Sequence, residues 1–407
     1  MSTADGRFYD LPGRDQQQLW APSLRELVAD TPEVLILDTA VEELDFSTLE
    51  ARYQPVGAPG YPPQVLFKVL VFGYAQGMYA SRQLARACRK DDDFRFLAHG
   101  LTPDFRTLCR FRHMFLEQLK QLFRETVRLC REAGLVELGH VAIDGTKMRA
   151  NRSRKALALL LQSLQEAEQA EADLVRQEEA AFMKLADGGV RPAYNAQAAV
   201  DGAHGVIVAE AVTCQAEDKG QLAPMVAQVK ANCEAAAEKV TADGGYYSEQ
   251  GIAAVEQESE LYVRPPTLGG GRLTWVEEEQ AFRCPRGHLL KACKQRHGRM
   301  VYRTSRCGGC PQAAKCGIKG RNKEVHVPLP DTPLGKVGAR MLTAAGQALY
   351  RQRQMVVEPV FGVFKHGWRF RRFHLRGRHG AAAEWSLLCT AHNLMKYVRW
   401  QQSQATA

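Results

Sequence analysis

No window of the 407 residues approaches the roughly 18–20 uninterrupted apolar residues that a membrane-spanning helix needs. Lys68 already breaks the best run, Val65 to Ala75, so a helical membrane protein is excluded. Met1 to Gln18 lacks the basic patch and apolar stretch of a secretory signal, and an unexported chain is expected. Proline is sparse at 18 residues, and the 45% apolar and 24% charged composition excludes a collagenous or broadly disordered chain. The eleven cysteines are an odd, scattered count, which argues against a disulfide framework and for cytosolic thiols or a metal site. Acids are short against bases, 45 Asp+Glu to 54 Lys+Arg, and the resulting +9 leans toward a polyanionic partner. From Arg283 to Lys323 that shortage is complete, with twelve Lys and Arg and no Asp or Glu. A solvated surface mixes signs, so a one-sided run of this kind points to phosphate contact.

At roughly 100–200 residues per domain the chain should hold two or three domains. From Pro62 to about Ala133 apolar residues such as Val65, Leu66, Val69, Leu70 and Phe72 recur at helical spacing, which predicts an all-α region within 1–135. Arg82, Arg86, Arg89, Arg106, Arg110 and Arg112 sit on or between its helices, as a solvated face or a DNA-contacting module would have them. Strand-like runs then begin with Leu138 to Asp144. Tyr194 to Asp201 and Gly205 to Thr213 read as a hairpin, Lys219 to Glu238 as a helix, Lys239 to Asp243 as a strand, Ser248 to Gln257 as a helix and Glu260 to Val263 as a strand. This order predicts an α/β fold with a mixed sheet and flanking helices, compatible with an RNase H-like core over 136–265. Residues 152–185 read as a helical arm inserted in it, 266–330 as an inserted basic, Cys-rich subdomain, and 331–407 as C-terminal helices that complete the core.

Two acids end strand-like runs and are followed at once by glycine: Asp144 in Ile143-Asp-Gly-Thr-Lys147 and Asp243 in Ala242-Asp-Gly-Gly-Tyr246. A carboxylate at the carboxyl edge of a strand faces the crevice where α/β sheets hold ligands, and the glycine lets the chain turn away. A third, Glu358, lies seven residues before Lys365, two helical turns, so both should project from one helix face. It sits among Val356, Val357, Val360 and Phe361, where an unpaired carboxylate is costly. Carboxylates without histidines suit Mg²⁺ or Mn²⁺, and two such ions about 3.5–4 Å apart clamp the attacking and leaving oxygens of a phosphodiester displacement. Asp201 and Asp218 are competing acids, read here as a hairpin-turn residue and a helix N-cap.

Ile143-Asp-Gly-Thr-Lys147, Pro192-Ala-Tyr-Asn-Ala-Gln-Ala-Ala-Val-Asp201, Ala242-Asp-Gly-Gly-Tyr246, Val357-Glu-Pro-Val-Phe-Gly362 and Ala391-His-Asn-Leu-Met-Lys396 occur in this order. Together they resemble a DDE transposase of a bacterial insertion sequence, in the branch numbered eleven eighty-two of the superfamily named for elements four and five. Tyr61-Pro-Pro63, Gly73-Tyr-Ala75, Ser81-Arg82 and Pro103-Asp-Phe-Arg-Thr107 resemble the helical domain that precedes the catalytic core in these enzymes, so the likeness covers roughly 60–400. It implies an RNase H-like core in which Asp144, Asp243 and Glu358 are catalytic and bind two Mg²⁺ or Mn²⁺ ions. It implies that Tyr350, Arg353 and Lys365 hold DNA near the cut; here the Arg-to-Glu spacing is one residue longer than the usual signature. The implied activity is binding of terminal inverted repeats, hydrolysis at the element ends and transfer of the 3′-hydroxyl ends to target DNA. A homodimer or higher oligomer on DNA, in the cytoplasm at the nucleoid, goes with it. An RNase H-like nuclease without strand transfer and an inactive element-derived DNA-binding protein are the alternatives.

Lys365, Arg369, Arg371, Arg372, Arg376 and Arg378 interleave with Trp368, Phe370 and Phe373, a pattern suited to backbone contact plus stacking on distorted DNA, with core packing the alternative for the phenylalanines. In the Cys-rich segment, Cys307 and Cys310 have zinc-knuckle spacing, and Cys284 with Cys316 would complete a structural Zn²⁺ site; His288 is a substitute ligand and Cys293 breaks the symmetry.

Overall fold

The computed structural model describes residues 22–53, 60–163, 179–265, 273–316 and 321–406. Among the described residues, eight helices come first: α1 Leu24–Leu27, α2 Pro32–Glu42, α3 Ser47–Glu50, α4 Pro63–Ala75, α5 Ser81–Lys90, α6 Asp92–Leu97, α7 Phe105–Met114 and α8 Leu116–Glu132. Pro63 opens α4, where its missing N–H costs nothing, and every residue from Val65 to Tyr74 is buried, so α4 is the centre of this layer. Even Lys68 is inside, its amine 2.6 Å from Asp38 and 3.1 Å from Glu42. Asp91 and Asp104 cap α6 and α7 by accepting backbone N–H groups. The basic residues Arg82, Arg86, Arg89, Arg106 and Arg110 are exposed, whereas Arg112 is buried.

Next come β1 His140–Arg149, α9 Arg154–Ser163, β2 Ala181–Lys184, β3 Val190–Asp201, β4 Ile207–Thr213, α10 Leu222–Cys233, β5 Lys239–Ala242, α11 Glu249–Val255 and β6 Glu260–Val263. The part of the expected arm that follows α9, residues 164–178, lies outside the described residues. These six strands form one sheet in the order β2-β3-β1-β5-β6, with β4 also paired to β3. β4-β3-β1 is antiparallel and β1-β5-β6 parallel, the mixed RNase H-like arrangement. The strand order therefore confirms the expected fold class. The parallel strands are joined through α10 and α11, because parallel neighbours need crossovers.

A second sheet, β7 Thr274–Val276, β8 Ala281–Arg283, β9 Leu289–Arg296, β10 Arg299–Thr304 and β11 Lys323–Pro328, is a meander of five antiparallel strands. Three helices end the chain: α12 Pro333–Leu342, α13 Ala344–Gly362 and α14 Gly377–Thr406. The single long helix expected from about Lys336 to Trp368 is thus two, because Thr343 stops the first and its hydroxyl accepts the Gly346 N–H of the second. α13 lies across β1, β3 and β5, and α14 packs on β4 on one side and on α2, α4 and α8 on the other. One continuous hydrophobic core therefore runs from Val34 of the helical layer to Val398 of α14.

The motif Ala391-His-Asn-Leu-Met-Lys396 belongs to this packing. Asn393 Nδ2 donates to the Ile207 carbonyl at 2.8 Å and its Oδ1 accepts the Ile207 N–H at 2.9 Å, so one amide stands in for the strand that edge strand β4 lacks. His392 bonds the Gly205 carbonyl at 2.9 Å, and burial pushes its pKa down to about 4.

Glu384 of α14 has no exposed surface. It accepts from the Tyr74 hydroxyl of α4 at 3.2 Å and from the His374 and Leu375 N–H groups at 2.5 and 2.9 Å, and lies 3.6 Å from Arg112 of α7. Arg112 in turn donates to Tyr74, to the Tyr79 carbonyl and to Ser81. Removing one member of a buried ion pair leaves the other uncompensated. Glu384→Ala should therefore cost about 3–5 kcal/mol in a urea titration, and Arg112→Ala a similar amount, with the double variant costing less than the sum.

Candidate active site

β1 and β5 run parallel in register from His140↔Lys239 to Ile143↔Ala242. The next residue on each strand is an aspartate, so Asp144 and Asp243 stand side by side where the parallel ladder stops. Asp144 is not at a strand end, as the sequence suggested. Its strand continues to Arg149 because the other edge stays paired with β3, and only the parallel pairing ends at residue 143. Asp243 does follow β5 directly, and its carboxylate accepts the Gly245 N–H at 2.7 Å.

Asp144 Oδ1 accepts its neighbour Gly145 N–H at 2.8 Å, and Oδ2 accepts from Arg353 Nη1 of α13 at 2.8 Å. Burial pushes the Asp144 carboxyl above its ordinary pKa, the Arg353 guanidinium pulls it back, and Asp243 pushes it up again. Arg353 is buried, and its guanidinium lies 5.8 Å from the centroid of the half-buried Tyr350 ring. The Lys365 amine donates to the Thr146 hydroxyl, which shares the Asp144 face of β1. Burial lowers the Lys365 pKa and Asp144 raises it. A cavity of about 590 Å³ opens beside Arg353, lined by Arg264, Trp275, Tyr350, Arg351 and Gln354 among others.

Glu358 stands apart from this arrangement. It is exposed on α13 and, among the described residues, pairs with no cation, while Lys365 is half-buried against β1. The expectation that the two share one face assumed α-helical winding throughout. Residues Val363–Gly367 form a π turn, so the winding between the two is not α-helical throughout.

The opposite face of the sheet supplies a polar layer that the sequence reading missed. Gly145 pairs with Gln197 across the β1–β3 ladder. A Cβ at residue 145 would lie 2.4 Å from Gln197 Nε2, 2.8 Å from Asn195 Oδ1 and 3.0 Å from Asp218 Oδ1, so only glycine fits. Asp218, expected as a helix N-cap, does not cap α10; its Oδ1 accepts from Asn195 Nδ2 at 2.7 Å and Gln197 Nε2 at 2.8 Å. Its Oδ2 lies 3.3 Å from where a Cβ on Gly245 would stand. The Tyr246 hydroxyl donates to Gln197 Oε1, and burial together with Asp218, Asp144 and Asp243 holds its pKa well above the usual value. The signal for this layer was present: Asn195 and Gln197 alternate with alanines in a buried strand, which puts both amides on one face. Asp201 does act as the expected turn acid, accepting the Ala203 and Leu138 N–H groups.

Trp368, Phe370 and Phe373 are buried, so core packing rather than stacking on DNA is their role, while Arg369, Arg371, Arg372 and Arg376 between them are exposed. Among the described residues, the only three candidate metal ligands whose atoms all lie within 4.8 Å of one another are Asp38, Glu42 and His99, and there the Lys68 ammonium already balances Asp38 and Glu42. Asp144, Asp218 and Asp243 are spread more widely.

An RNase H-like sheet with carboxylates at the end of its central parallel ladder is the framework of metal-dependent, nucleic-acid-cutting enzymes. A transposase domain model (DUF772) matches residues 23–114 and a transposase DDE domain model matches residues 283–398. Both matches are to transposase domains, and together they support a DDE transposase of an insertion sequence. None of the curated proteins matches it. The DDE match includes Glu358 but neither Asp144 nor Asp243, whose juxtaposition comes from the fold.

The oxygen-only donor set fits a hard divalent cation, and the Arg353 guanidinium on Asp144 marks a position where positive charge is needed. Asp218→Ala would leave the Gln197 amide behind this site without its acceptor and Asn195 with only the Gln215 carbonyl at 3.3 Å. It should cost about 1–3 kcal/mol in a urea titration and weaken Mn²⁺ binding measured by calorimetry. Glu217→Gln, at the exposed neighbour, should change neither.

Proposed function

We propose that the chain binds the terminal inverted repeats of its own element, hydrolyses a phosphodiester at each end, and joins the resulting 3′-hydroxyl ends to target DNA. The branch numbered eleven eighty-two remains part of this reading. The observation that carries it is the placement of Asp144 and Asp243 one residue past the last pair of the parallel β1–β5 ladder, with Arg353 on Asp144 and Lys365 on Thr146 of the same strand. Asp144 and Asp243 are the residues that would hold Mg²⁺ or Mn²⁺ as they stand, and Glu358, exposed on α13, would have to turn toward them to complete the set. When bound, a pair of such ions neutralises the phosphate and activates the attacking oxygen.

The remaining roles fall to the chain's own side chains. Gly145 leaves room for Asn195, Gln197 and Asp218 behind the aspartates, which holds the ends of β1 and β5 in place. Tyr350, Arg353 and Lys365 present a ring and two cations to a phosphate entering beside Asp144. Arg369, Arg371 and Arg372 are exposed on a segment anchored by its buried aromatics, and they grip the DNA backbone beyond the cut. The exposed arginines of α5 and α7, with Arg82 stacked 4.7 Å from the Phe105 ring centroid, form a further basic surface for the repeats. No helix among the described residues is long and apolar enough to cross a membrane. A cytoplasmic, nucleoid-associated location and a homodimer or higher oligomer on DNA complete the proposal.

Asp144→Asn, Asp243→Asn and Glu358→Gln should each lower Mg²⁺-dependent cleavage of repeat-end DNA by about 100-fold or more while DNA binding stays measurable. Full activity in any one of them removes that residue from the site. Pre-cleaved 3′-hydroxyl ends incubated with a plasmid should yield joined products; cleavage without joining would assign a nuclease instead. Changing Arg371 and Arg372 to Ala should flatten the salt dependence of DNA affinity by about one unit of slope per lost phosphate contact. An unchanged slope would mean that these arginines do not touch DNA.

A further inference from the structure

The second sheet is poorly provided with core. Its hydrophobic cluster has only Phe282, Leu290 and Val325 buried, with Ala281 and Val301 buried besides, and β9 is exposed from Lys291 to Arg296. Twelve Lys and Arg between 283 and 323, with no acid among them, repel one another as well. Five strands held by so little burial need another source of order.

The strand registers show where that source lies. β8 pairs with β9 up to Arg283↔Leu289, and the turn between them runs from Cys284 to His288. β10 pairs with β9 as far as Arg303↔Lys291 and with β11 as far as Thr304↔Lys323. The end of β10 and the start of β9 therefore meet at one end of the sheet. There the Cys284 turn lies beside the loop that carries Cys307, Cys310 and Cys316. Both are built as tight knuckles. The Gly287 N–H donates to the Cys284 carbonyl at 2.8 Å with Gly287 at φ +82°, and the Cys310 N–H donates to the Cys307 carbonyl at 3.2 Å after Gly309 at φ +74°. Cys316 is drawn in by the Lys323 amine, which donates to its carbonyl at 3.1 Å.

The geometry points to a structural Zn²⁺ held by the thiolates of Cys284, Cys307, Cys310 and Cys316, clasping the β8–β9 turn to the β10–β11 loop. All four cysteines are free thiols. No three of the sulfurs lie within 4.8 Å of one another, so the ion would draw the knuckles together as it binds. Four thiolates on one Zn²⁺ carry a net charge of about −2, which offsets the surrounding arginines and lysines. Cys293 is excluded, because it is exposed on β9 and its thiol donates to the Val301 carbonyl at 3.2 Å. His288 is excluded as well, since its contribution to the turn is its carbonyl, which accepts the Cys284 N–H at 2.9 Å, and its side chain is exposed.

The test uses the full chain purified without chelator. Elemental analysis should find about one Zn²⁺ per chain, and Co²⁺ exchanged for it should give the visible bands of tetrahedral thiolate coordination. The Cys284→Ser variant and the Cys307→Ser, Cys310→Ser double variant should lose the metal and become open to protease between residues 273 and 328. Cys293→Ser and His288→Ala should keep both metal and protection. Wild-type protein that holds no zinc and takes up no Co²⁺ would overturn the inference, as would a double variant that keeps its zinc. Loss of metal from Cys293→Ser or His288→Ala would overturn the four-thiolate ligand set. Because Co²⁺ uptake is read on the wild-type chain, misfolding of a variant cannot imitate the result.

Discussion

Glu384 is a carboxylate with no access to water, and burying it without compensation would cost more than most single interactions in the chain can return. Its compensation comes from three directions: Tyr74 from α4, Arg112 from α7, and the backbone N–H groups of His374 and Leu375. Because those partners must converge for the carboxylate to be tolerated, the helical layer, the segment after the π turn and α14 are held in one arrangement. Both matched transposase domains meet at this point, since Arg112 lies in one and Glu384 in the other. The Phe373 N–H then donates to the Arg149 carbonyl at the end of β1, so the basic segment is fixed against the strand that carries Asp144.

The aspartates sit in a sheet whose two halves disagree in direction. Where β1 changes from being paired on both edges to being paired only with β3, its β5 edge loses its hydrogen-bonded neighbour. Asp144 stands at that discontinuity. Two carboxylates brought together there repel each other, and among the described residues Arg353 is the only basic side chain paired with Asp144. Proteins tolerate such tension where chemistry needs it, and the divalent cation proposed here would relieve it in the same place. Behind the pair, Asn195, Gln197, Asp218 and Tyr246 form a hydrogen-bonded layer reached through the gap at Gly145, so the acids rest on polar groups already satisfied by one another.

The basic character of the chain is divided between two supports. Arg369, Arg371, Arg372 and Arg376 project from a segment whose aromatics are driven into the core, so their positions are set by burial of the residues between them. The second sheet has no comparable core, and its cations ride on strands exposed over much of their length. A surface of that kind either stays loosely ordered or is held by something other than apolar packing, which is why its cysteines matter more than their number suggests.

Much of this was open to reading from residue order. The helical layer from α4 to α8, the hairpin β3–β4 and strand β6 at Glu260–Val263 follow from period and turn residues, because each is set by local contacts. The basic stretches and the pairing of aspartate with glycine at 144 and 243 are equally local. The meander at 274–328 was hidden, since strands rich in lysine and arginine on both faces lack the alternation that marks a half-buried sheet. Likewise, the burial of Trp368, Phe370 and Phe373, the π turn at Val363–Gly367, and the conversion of Asp218 from expected cap to acceptor for two amides all depend on what packs against them. Periodicity fixes which face a residue is on. Only contacts between segments distant in sequence decide what that face meets, and every one of these differences is a contact of that kind.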